Sequence, residues 1–232
     1  MKKAGIVGGI GPASTLDYYS GIIEGYRSKA GGDNYPEIVI NSVNMNEMLS
    51  YVLNKDDDAL IDMLVSAVED LANAGADFAA IASNTPHIVF DEVQKRSKIP
   101  LISIVEETCR FAKSKGCVKA VVIGTRFTMS SGLYSEALSK YGIEAIIPPE
   151  EDQAAIHSII FPNLENGIVD PEDKKRMLGI VKRLIEEHDA DALILGCTEL
   201  PLMIKDDDLD ISVLNTTRIH IRSIIDSLLR QQ

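Results

Sequence analysis

The sequence predicts an α/β protein made of two similar halves, each a doubly wound parallel sheet with helices on both faces. Short apolar runs alternate with segments of helical periodicity along the chain, which is the pattern of strands joined by crossover helices. The pattern also restarts midway. Residues 4–9 (AGIVGG) are similar to 120–125 (AVVIGT), and 77–83 (DFAAIAS) are similar to 191–197 (DALILGC). These repeats indicate a duplicated α/β unit.

The spacing within the two repeats supports the duplication. Gly8 and Ser83 are 75 positions apart, and Gly124 and Cys197 are 73 apart. We therefore expect two pseudo-symmetric domains with a ligand site in the cleft between them. The expected domains are 1–104 and 105–214, and the closing helix, within 215–232, is expected to pack back on the first.

Turn residues and helix-start signals set the elements of the first half. Gly8 to Gly11 form a glycine turn, and Pro12 suits a first helical turn. A later helix starts in the acid-rich residues after Asp56 and ends at Gly75. The segment 44–53 is a connection with room for a short helix. Strands are expected over 3–9, 37–43, 77–82 and 99–103, with helices from Ser14 or Thr15 to Ala30 and over 56–74, 88–97 and 105–115.

The second half repeats this alternation after Gly116. Residues 125–131 are expected to form a hydroxyl-rich turn. Strands are predicted over 119–124, 143–147, 191–196 and 212–214, and helices over 132–141, 151–163, 171–188 and 217–229.

Composition excludes several classes of protein. The 232 residues, 45% hydrophobic and 25% charged, are typical of a soluble globular chain that buries a genuine core. A formal net charge of -12 argues against nucleic acid or an anionic membrane as the main partner. With neither a run long enough to span a membrane nor a signal-peptide pattern, the expected location is the cytoplasm. The three cysteines, Cys109, Cys117 and Cys197, indicate neither a disulfide framework nor a zinc cluster.

Cys197 is the first candidate for a catalytic residue. It follows a buried apolar run and Gly196, so it is expected at the carboxyl edge of a parallel sheet, where open α/β folds bind ligands. A free cysteine is often a small buried hydrophobe, but this one has a threonine and a glutamate directly behind it. A thiol there serves as a nucleophile or as a proton-transfer base. Ser83 ends the corresponding strand of the first half.

Hydroxyl and amide groups close to these strand ends are suited to bind a carboxylate. Each of them also fits ordinary turn or cap chemistry. These candidates are Asn84, Thr85, Thr125, Thr128 and Thr198. His87 is equally compatible with a cap and with a role in the site. The other histidines have no metal-ligand spacing, and no metal is expected.

The glycine turn does not match a dinucleotide-binding fingerprint. Residues 9–14 (GIGPAS) fall one position short of it, and Pro12 lacks an amide hydrogen. The second strand ends without an acidic residue for a ribose. Nicotinamide binding is therefore disfavoured, although the turn can still present amides to a carboxylate.

Three stretches together resemble the signatures of the aspartate/glutamate racemase family. They are residues 8–15 (GGIGPAST), 83–87 (SNTPH) and 196–199 (GCTE), and the resemblance extends along the chain. It implies a cofactor-independent enzyme, usually a homodimer, with two pseudo-symmetric α/β domains and an interdomain site. In that family two cysteines face the substrate Cα: one removes the α-proton and the other returns a proton to the opposite face.

One departure from the family pattern concerns the acid–base pair. The family's first cysteine is Ser83 here. A hydroxyl donates a proton to a carbanion but is a far poorer base than a thiol. Catalysis is therefore expected to be directionally uneven, with Cys197 abstracting from the L-enantiomer and Ser83 as the opposing acid. Some relatives carry a hydroxyl residue at this position, and resemblance to them implies a preference for the L-enantiomer.

The other departure concerns the substrate side chain. Aspartate-selective members use an arginine and a lysine at positions that align near Glu47 or Met48 and near Glu165. Acidic residues there repel a second carboxylate and can pair with an amine or guanidinium, or leave the pocket permissive. Both glutamates can equally face water. Arg126 or Lys55 is a candidate to replace the missing cation.

The sequence therefore predicts an amino-acid racemase in which Cys197 and Ser83 are catalytic. The substrate-binding candidates are Asn84, Thr85, Thr125, Thr128, Thr198, Glu47 and Glu165. Aspartate or glutamate is the substrate that the family implies, with a broad-specificity or basic amino-acid racemase as the alternative. Two further alternatives stay open: a cysteine-dependent isomerase or decarboxylase of small dicarboxylates, and a metabolite-binding homologue that has lost catalysis.

Overall fold

The computed structural model describes residues 2–31 and 33–230 and has the predicted α/β architecture. The chain forms two compact units. One comprises the described residues up to Glu107 together with those from Thr217 onward, and the other is Thr108–Thr216. Within the described residues each unit contains a four-stranded parallel sheet with helices packed on it. The fold class expected from the sequence is confirmed.

The sheet of the first unit has the strand order β2-β1-β3-β4. Its strands are β1 (Lys3–Gly8), β2 (Glu37–Ser42), β3 (Phe78–Ile81) and β4 (Leu101–Ile102). The connecting helices are α1 (Pro12–Ala30), α2 (Met45–Asn54), α3 (Asp57–Asn73) and α4 (Phe90–Arg96), with a 3-10 turn at Thr85–Val89. Helix α5 (Ile104–Ser114) starts in this unit and continues into the second.

The sheet of the second unit has the corresponding order β6-β5-β7-β8. Its strands are β5 (Lys119–Ile123), β6 (Glu144–Ile146), β7 (Ala192–Leu195) and β8 (Ser212–Asn215). The helices that follow α5 are α6 (Arg126–Ser130), α7 (Leu133–Lys140), α8 (Glu150–Ile160), α9 (Pro171–His188), α10 (Leu200–Met203) and α11 (Thr216–Leu229), with 3-10 turns at Leu164–Asn166 and Asp206–Asp208.

The two sheets also match at the level of single hydrogen bonds. Beyond β3, the amide of Ala82 donates to the carbonyl of Val7 at 2.9 Å. Beyond β7, the amide of Gly196 donates to the carbonyl of Ile123 at 2.7 Å. The next residue is Ser83 in the first unit and Cys197 in the second, so these two residues occupy equivalent places in their sheets.

Several local details differ from the sequence-based expectations, and three of them have a clear physical reason. Residues 126–130 form a short helix rather than a turn, because the Thr125 hydroxyl caps it by accepting from the amide of Thr128. Helix α1 starts earlier than expected, with Pro12 in its first turn. Strand β4 is short because Pro100 has no amide to donate and Ser103 already caps α5.

Helix α11 returns to the first unit and completes its core. Ile224, Ile225 and Leu228 are buried in one apolar cluster with residues of β1, β3 and α1. The approach is close at Gly25, where a Cβ atom would lie 2.4 Å from Ile225 Cδ1. In the part of the chain that the structure describes, no helix combines the length and apolarity needed to cross a membrane.

Candidate functional site

Cys197 lies at the carboxyl end of β7 and is 9% exposed. The glycine before it allows this strand end to approach its neighbour closely. A Cβ atom on Gly196 would lie 3.0 Å from the Ile123 carbonyl oxygen and 3.1 Å from Thr128 Cγ2. The backbone therefore reaches the sheet edge beside β5 and turns there, which leaves the thiol at this edge.

Glu199 is the immediate partner of the thiol. Cys197 Sγ donates to Glu199 Oε2 at 3.0 Å. Burial and the negative charge of Glu199 raise the pKa of Cys197 well above its ordinary value. The resting group is consequently a protonated thiol at neutral pH, and it donates a hydrogen bond to the Glu199 side chain. The sequence placed this carboxylate near Cys197 but did not identify it as the partner.

Glu165, a predicted site residue, belongs to the same electrostatic environment. It is half-buried in the 3-10 turn Leu164–Asn166, and Leu164 packs in the same apolar core as Cys197. Burial and the charge of Glu199 raise the pKa of Glu165, and Glu165 in turn contributes to the raised pKa of the thiol. The two charged groups that act on the Cys197 thiol, Glu199 and Glu165, are thus both acidic.

The three threonines predicted in this unit have different environments. Thr125 caps α6, and its hydroxyl also lies 3.1 Å from that of Thr128. Thr128 is buried, and its methyl group packs near Gly196. Thr198 is half-buried between Cys197 and Glu199 in sequence. Thr125 and Thr128 therefore support the strand end structurally, and Thr198 directly follows Cys197 in the sequence.

The proposed replacement cations are exposed in the structure. The Arg126 guanidinium pairs with Glu150 at 2.9 Å, and Lys55 is exposed at the end of α2. The amide of Arg126 is 3.5 Å from His157 Nδ1, and burial together with the charge of Arg126 lowers the pKa of His157. Glu47 is also exposed, and it accepts a hydrogen bond from the Tyr51 hydroxyl at 2.8 Å.

The equivalent edge of the first unit carries Ser83, Asn84 and Thr85. Ser83 and Thr85 are half-buried, and Asn84 is buried. The Ser14 hydroxyl donates to the carbonyl of Ala82 at 3.2 Å and so ties α1 to this strand end. These three residues thus place a hydroxyl, an amide and a second hydroxyl in succession after β3.

Neighbouring protein atoms fill the space around the glycine turn after β1. Gly9 has φ +84°, and a Cβ atom there would lie 2.3 Å from the carbonyl oxygen of Val43. The amide of Gly9 donates to Thr15 Oγ1 at 2.8 Å, and a Cβ atom on Gly8 would be 2.6 Å from Thr15 Cγ2. Because Thr15 already occupies the amide of Gly9, the turn differs from an open phosphate-binding loop.

Buried histidines form a polar network beneath the edge of the first unit. His87 Nε2 accepts from the amide of Ile104 at 3.3 Å. His220 Nε2 donates to the carbonyl of Ile102 at 2.9 Å, and its Nδ1 accepts from the Tyr18 hydroxyl at 2.7 Å. Burial lowers the pKa of His87 to about 3 and that of His220 to about 4. Both rings are therefore neutral at physiological pH.

A buried tyrosine has a similar place in the second unit. The ring of Tyr134 lies beneath Gly196, and its hydroxyl bonds to the side chains of Thr108 and Thr216. Thr216 in turn donates to the carbonyl of Leu195 at 2.8 Å. Sequence reasoning missed this support, although a signal was present: Tyr18 and Tyr134 each lie ten positions after the glycine that follows or ends the first strand of its unit.

The described residues contain no group of three or more His, Cys, Asp or Glu side chains arranged to hold a metal ion. The side chains that the two strand ends present are a thiol beside a carboxylate after β7, and hydroxyl and amide groups after β3.

Replacing Glu199 with glutamine is expected to shift the pH profile of Cys197 alkylation to lower pH. The Glu199 charge raises the thiol pKa, so its removal favours the reactive thiolate. The alkylation rate should rise with pH through the thiol pKa in both proteins, but at lower pH in the variant. Rates with iodoacetamide are followed by mass spectrometry of the peptide that contains Cys197.

Glu165→Gln is the matched comparison for this measurement. It should shift the profile in the same direction but less, because Glu165 contributes less to the thiol pKa than Glu199 does. An unchanged profile in Glu199→Gln, or one shifted to higher pH, would contradict the assigned electrostatics.

Comparison with known proteins gives concordant matches. The profile of the Asp/Glu/Hydantoin racemase family matches residues 7–224. The broad specificity amino-acid racemase RacX of Bacillus subtilis (strain 168) is 27% identical over 98% of this chain and 99% of its own. Among solved structures, PH1733, an aspartate racemase homologue from Pyrococcus horikoshii OT3, has 35% identity and a TM-score of 0.89 over 99% of this chain and 100% of its own. A putative Asp/Glu racemase from Yersinia pestis has 31% identity and a TM-score of 0.93, again over 99% and 100%.

Proposed function

Because the chain belongs to the Asp/Glu/Hydantoin racemase family and is an isomerase of the amino-acid racemase type, we propose that it inverts the α-carbon of an amino acid through Cys197 and Ser83. Cys197 removes the α-proton of the L-enantiomer, and Ser83 donates a proton to the opposite face. The reaction uses no cofactor. On the family resemblance we also propose that the working form is a homodimer.

The observation that carries this proposal is the hydrogen bond between Cys197 and Glu199. The 3.0 Å contact fixes the direction of the thiol and places a carboxylate beside it, whose negative charge can attract the α-ammonium group of an amino acid. The raised thiol pKa keeps this base protonated at rest. The α-ammonium group of a bound amino acid brings a positive charge beside this acidic pair, which favours the thiolate when substrate is present.

The α-proton of an amino acid is very weakly acidic, so the enolate-like intermediate needs strong stabilisation. Preorganised donors in a site that excludes water are the available means without a cofactor. Asn84, Thr85 and Thr198 are proposed to bind the α-carboxylate, with Thr125 and Thr128 supporting that arrangement. Burial of Asn84 and the fixed position of Thr128 support such preorganisation.

The use of a serine as the second group has a kinetic consequence. The two enantiomers have equal free energies in solution, so kcat/KM for inversion must be equal in both directions. The asymmetry between thiol and hydroxyl therefore appears in α-hydrogen exchange. The L-enantiomer should exchange faster than it inverts, because Cys197 returns protons readily. The D-enantiomer should exchange no faster than it inverts.

A specific observation favours a broad or basic substrate range within this function. Glu165 and Glu199 both place negative charge at Cys197, and Arg126 is already paired with Glu150. Such an environment disfavours a second substrate carboxylate and suits an uncharged side chain, an amine or a guanidinium. We therefore propose a broad-specificity racemase that prefers lysine or arginine to aspartate.

The experiment is proton NMR of α-hydrogen exchange in D₂O, with separate L- and D-enantiomers of aspartate, glutamate, lysine and arginine. Inversion of lysine or arginine, with faster exchange from the L-enantiomer, is the expected result. Inversion of aspartate alone would contradict the substrate range. No exchange from any amino acid, together with turnover of maleate or an arylmalonate, would replace the proposal with an isomerase or decarboxylase. Ligand-dependent stabilisation without any turnover would indicate a binding protein.

A further inference from the structure

The ring of His87 has a fixed orientation close to the residues that follow β3. It is 4% exposed, and its ring stacks on Phe90 with centroids 5.0 Å apart and planes 5° from parallel. Its own amide donates to the carbonyl of Asn84 at 3.0 Å. On the other side, Nε2 accepts from Ile104, the first residue of α5, at 3.3 Å. The ring therefore lies between the turn that contains Ser83 and the start of that helix.

The contact with Ile104 determines the tautomer of the ring. A nitrogen that accepts from an amide carries no hydrogen, so the neutral ring has its proton on Nδ1. Nδ1 is buried and has no hydrogen-bond partner among the described residues. The backbone groups that favour its protonation are those of Ser83 and Asn84. A buried nitrogen donor close to the backbone of Ser83 and Asn84, but without a hydrogen bond of good geometry, is an unusual arrangement.

The electrostatic surroundings keep the ring neutral. Burial, followed by the proximity of His220, lowers the pKa of His87 to about 3. His220 lies edge-on with its ring centroid 6.4 Å away, and it is held by Tyr18 and by the carbonyl of Ile102. His87 is therefore not a proton-transfer group at physiological pH, and its contribution must come from fixed hydrogen bonding.

We infer that His87 is a positioning residue for Ser83, and that it acts as a fixed Nδ1-protonated imidazole between the first amide of α5 and the turn at Ser83 and Asn84. The inference rests on the proposed function, in which Ser83 returns the proton. In the substrate complex Nδ1–H donates to a carbonyl of this turn, and that bond sets the direction from which the Ser83 hydroxyl approaches the α-carbon. A displacement of about 1 Å in such a group is enough to lower a rate by about 10²-fold.

The tautomer is tested first, without substrate, by ¹⁵N NMR of the histidine-labelled protein. The expected spectrum assigns the proton of His87 to Nδ1, leaves Nε2 unprotonated and shows no titration between about pH 5 and 8. A proton on Nε2, or a titration within this range, would overturn the inference, whatever the protein catalyses.

The role in catalysis is tested by comparing His87→Leu with His87→Gln. Leucine removes both hydrogen bonds, whereas glutamine has an oxygen to accept from Ile104 and an amide to donate to the turn. We expect His87→Leu to lower inversion of the L-enantiomer by about 10-fold or more while α-exchange stays within about 2-fold, and His87→Gln to restore inversion. His87→Asn, too short to reach both partners, replaces the leucine variant if that one does not fold.

The control is Leu71→Val, a core truncation in α3 that lies close to Gly5 and Ala76, away from Ser83 in the sheet. It should leave the ratio of exchange to inversion unchanged. Equal losses of exchange and inversion in His87→Leu, or an unchanged ratio, would overturn the positioning role. Absence of both reactions in the unmodified protein would instead contradict the proposed function.

Discussion

Replacing Cys197 with alanine is expected to lower racemisation by about 10³-fold or more and to abolish α-hydrogen exchange from the L-enantiomer. The thiol is the only proposed base on its face of the substrate, and loss of a positioned base typically costs 10²- to 10⁴-fold. Cys197→Ser should be nearly as inactive, because a hydroxyl beside the Glu199 carboxylate is a far weaker acid than a thiol. Exchange and inversion are measured together by NMR in D₂O.

Cys117→Ala is the matched control for this prediction. Cys117 is also a buried free cysteine of the second unit, and its pKa is likewise raised by burial, but it precedes β5 rather than following β7. Its replacement should leave exchange and inversion within about 2-fold of the unmodified protein. Full exchange in Cys197→Ala would rule out the thiol as the base, and an equal loss in Cys117→Ala would indicate a general effect of thiol removal.

Gly9→Ala is expected to destabilise the protein by about 3 kcal/mol or more, measured as the free energy of unfolding in urea. Two costs combine at this position. The backbone has φ +84°, which disfavours any side chain, and the new Cβ atom would lie 2.3 Å from the carbonyl oxygen of Val43. The obstructing atom is backbone, so relief requires the turns after β1 and β2 to separate.

Gly116→Ala separates these two costs. Gly116 has φ +77°, but a Cβ atom there meets nothing within 4 Å. Its replacement should therefore cost only about 1 kcal/mol, the penalty of the left-handed backbone alone. Equal losses of stability in the two variants would mean that the contact with Val43 is relieved without cost.

The fold class and the positions of the two strand ends could be predicted because they depend on local and repeated signals. Uninterrupted apolar runs identified the parallel strands, and glycine or a helix cap identified their ends. The repeat in the sequence predicted that Ser83 and Cys197 correspond to each other. The matching amide hydrogen bonds of Ala82 and Gly196 show that the two residues do occupy equivalent positions in their sheets. That both act on one substrate stays a proposal.

The details that could not be predicted depend on contacts between distant segments. Thr125 was expected in a turn, yet its hydroxyl caps a short helix that packs close to Gly196. The environment of His87 depends on the backbone amide of Ile104, the first residue of α5, which lies seventeen positions away in the sequence. The sequence gives the residue types for these contacts, but the geometry that brings them together arises only when the sheet and its helices assemble.

The return of α11 to the first unit has a consequence for synthesis on the ribosome. Ile224, Ile225 and Leu228 belong to the core of a unit whose strands are translated before those of the second unit. The about 110 residues of the second unit are made in between, which takes on the order of ten seconds at cellular rates. During that interval the first sheet has an incomplete apolar face, which chaperones or the nascent chain must shield. The second unit, in contrast, has all of its strands before α11 is made. We therefore expect the second unit to complete its core before the first, although the strands of the first unit are synthesised earlier.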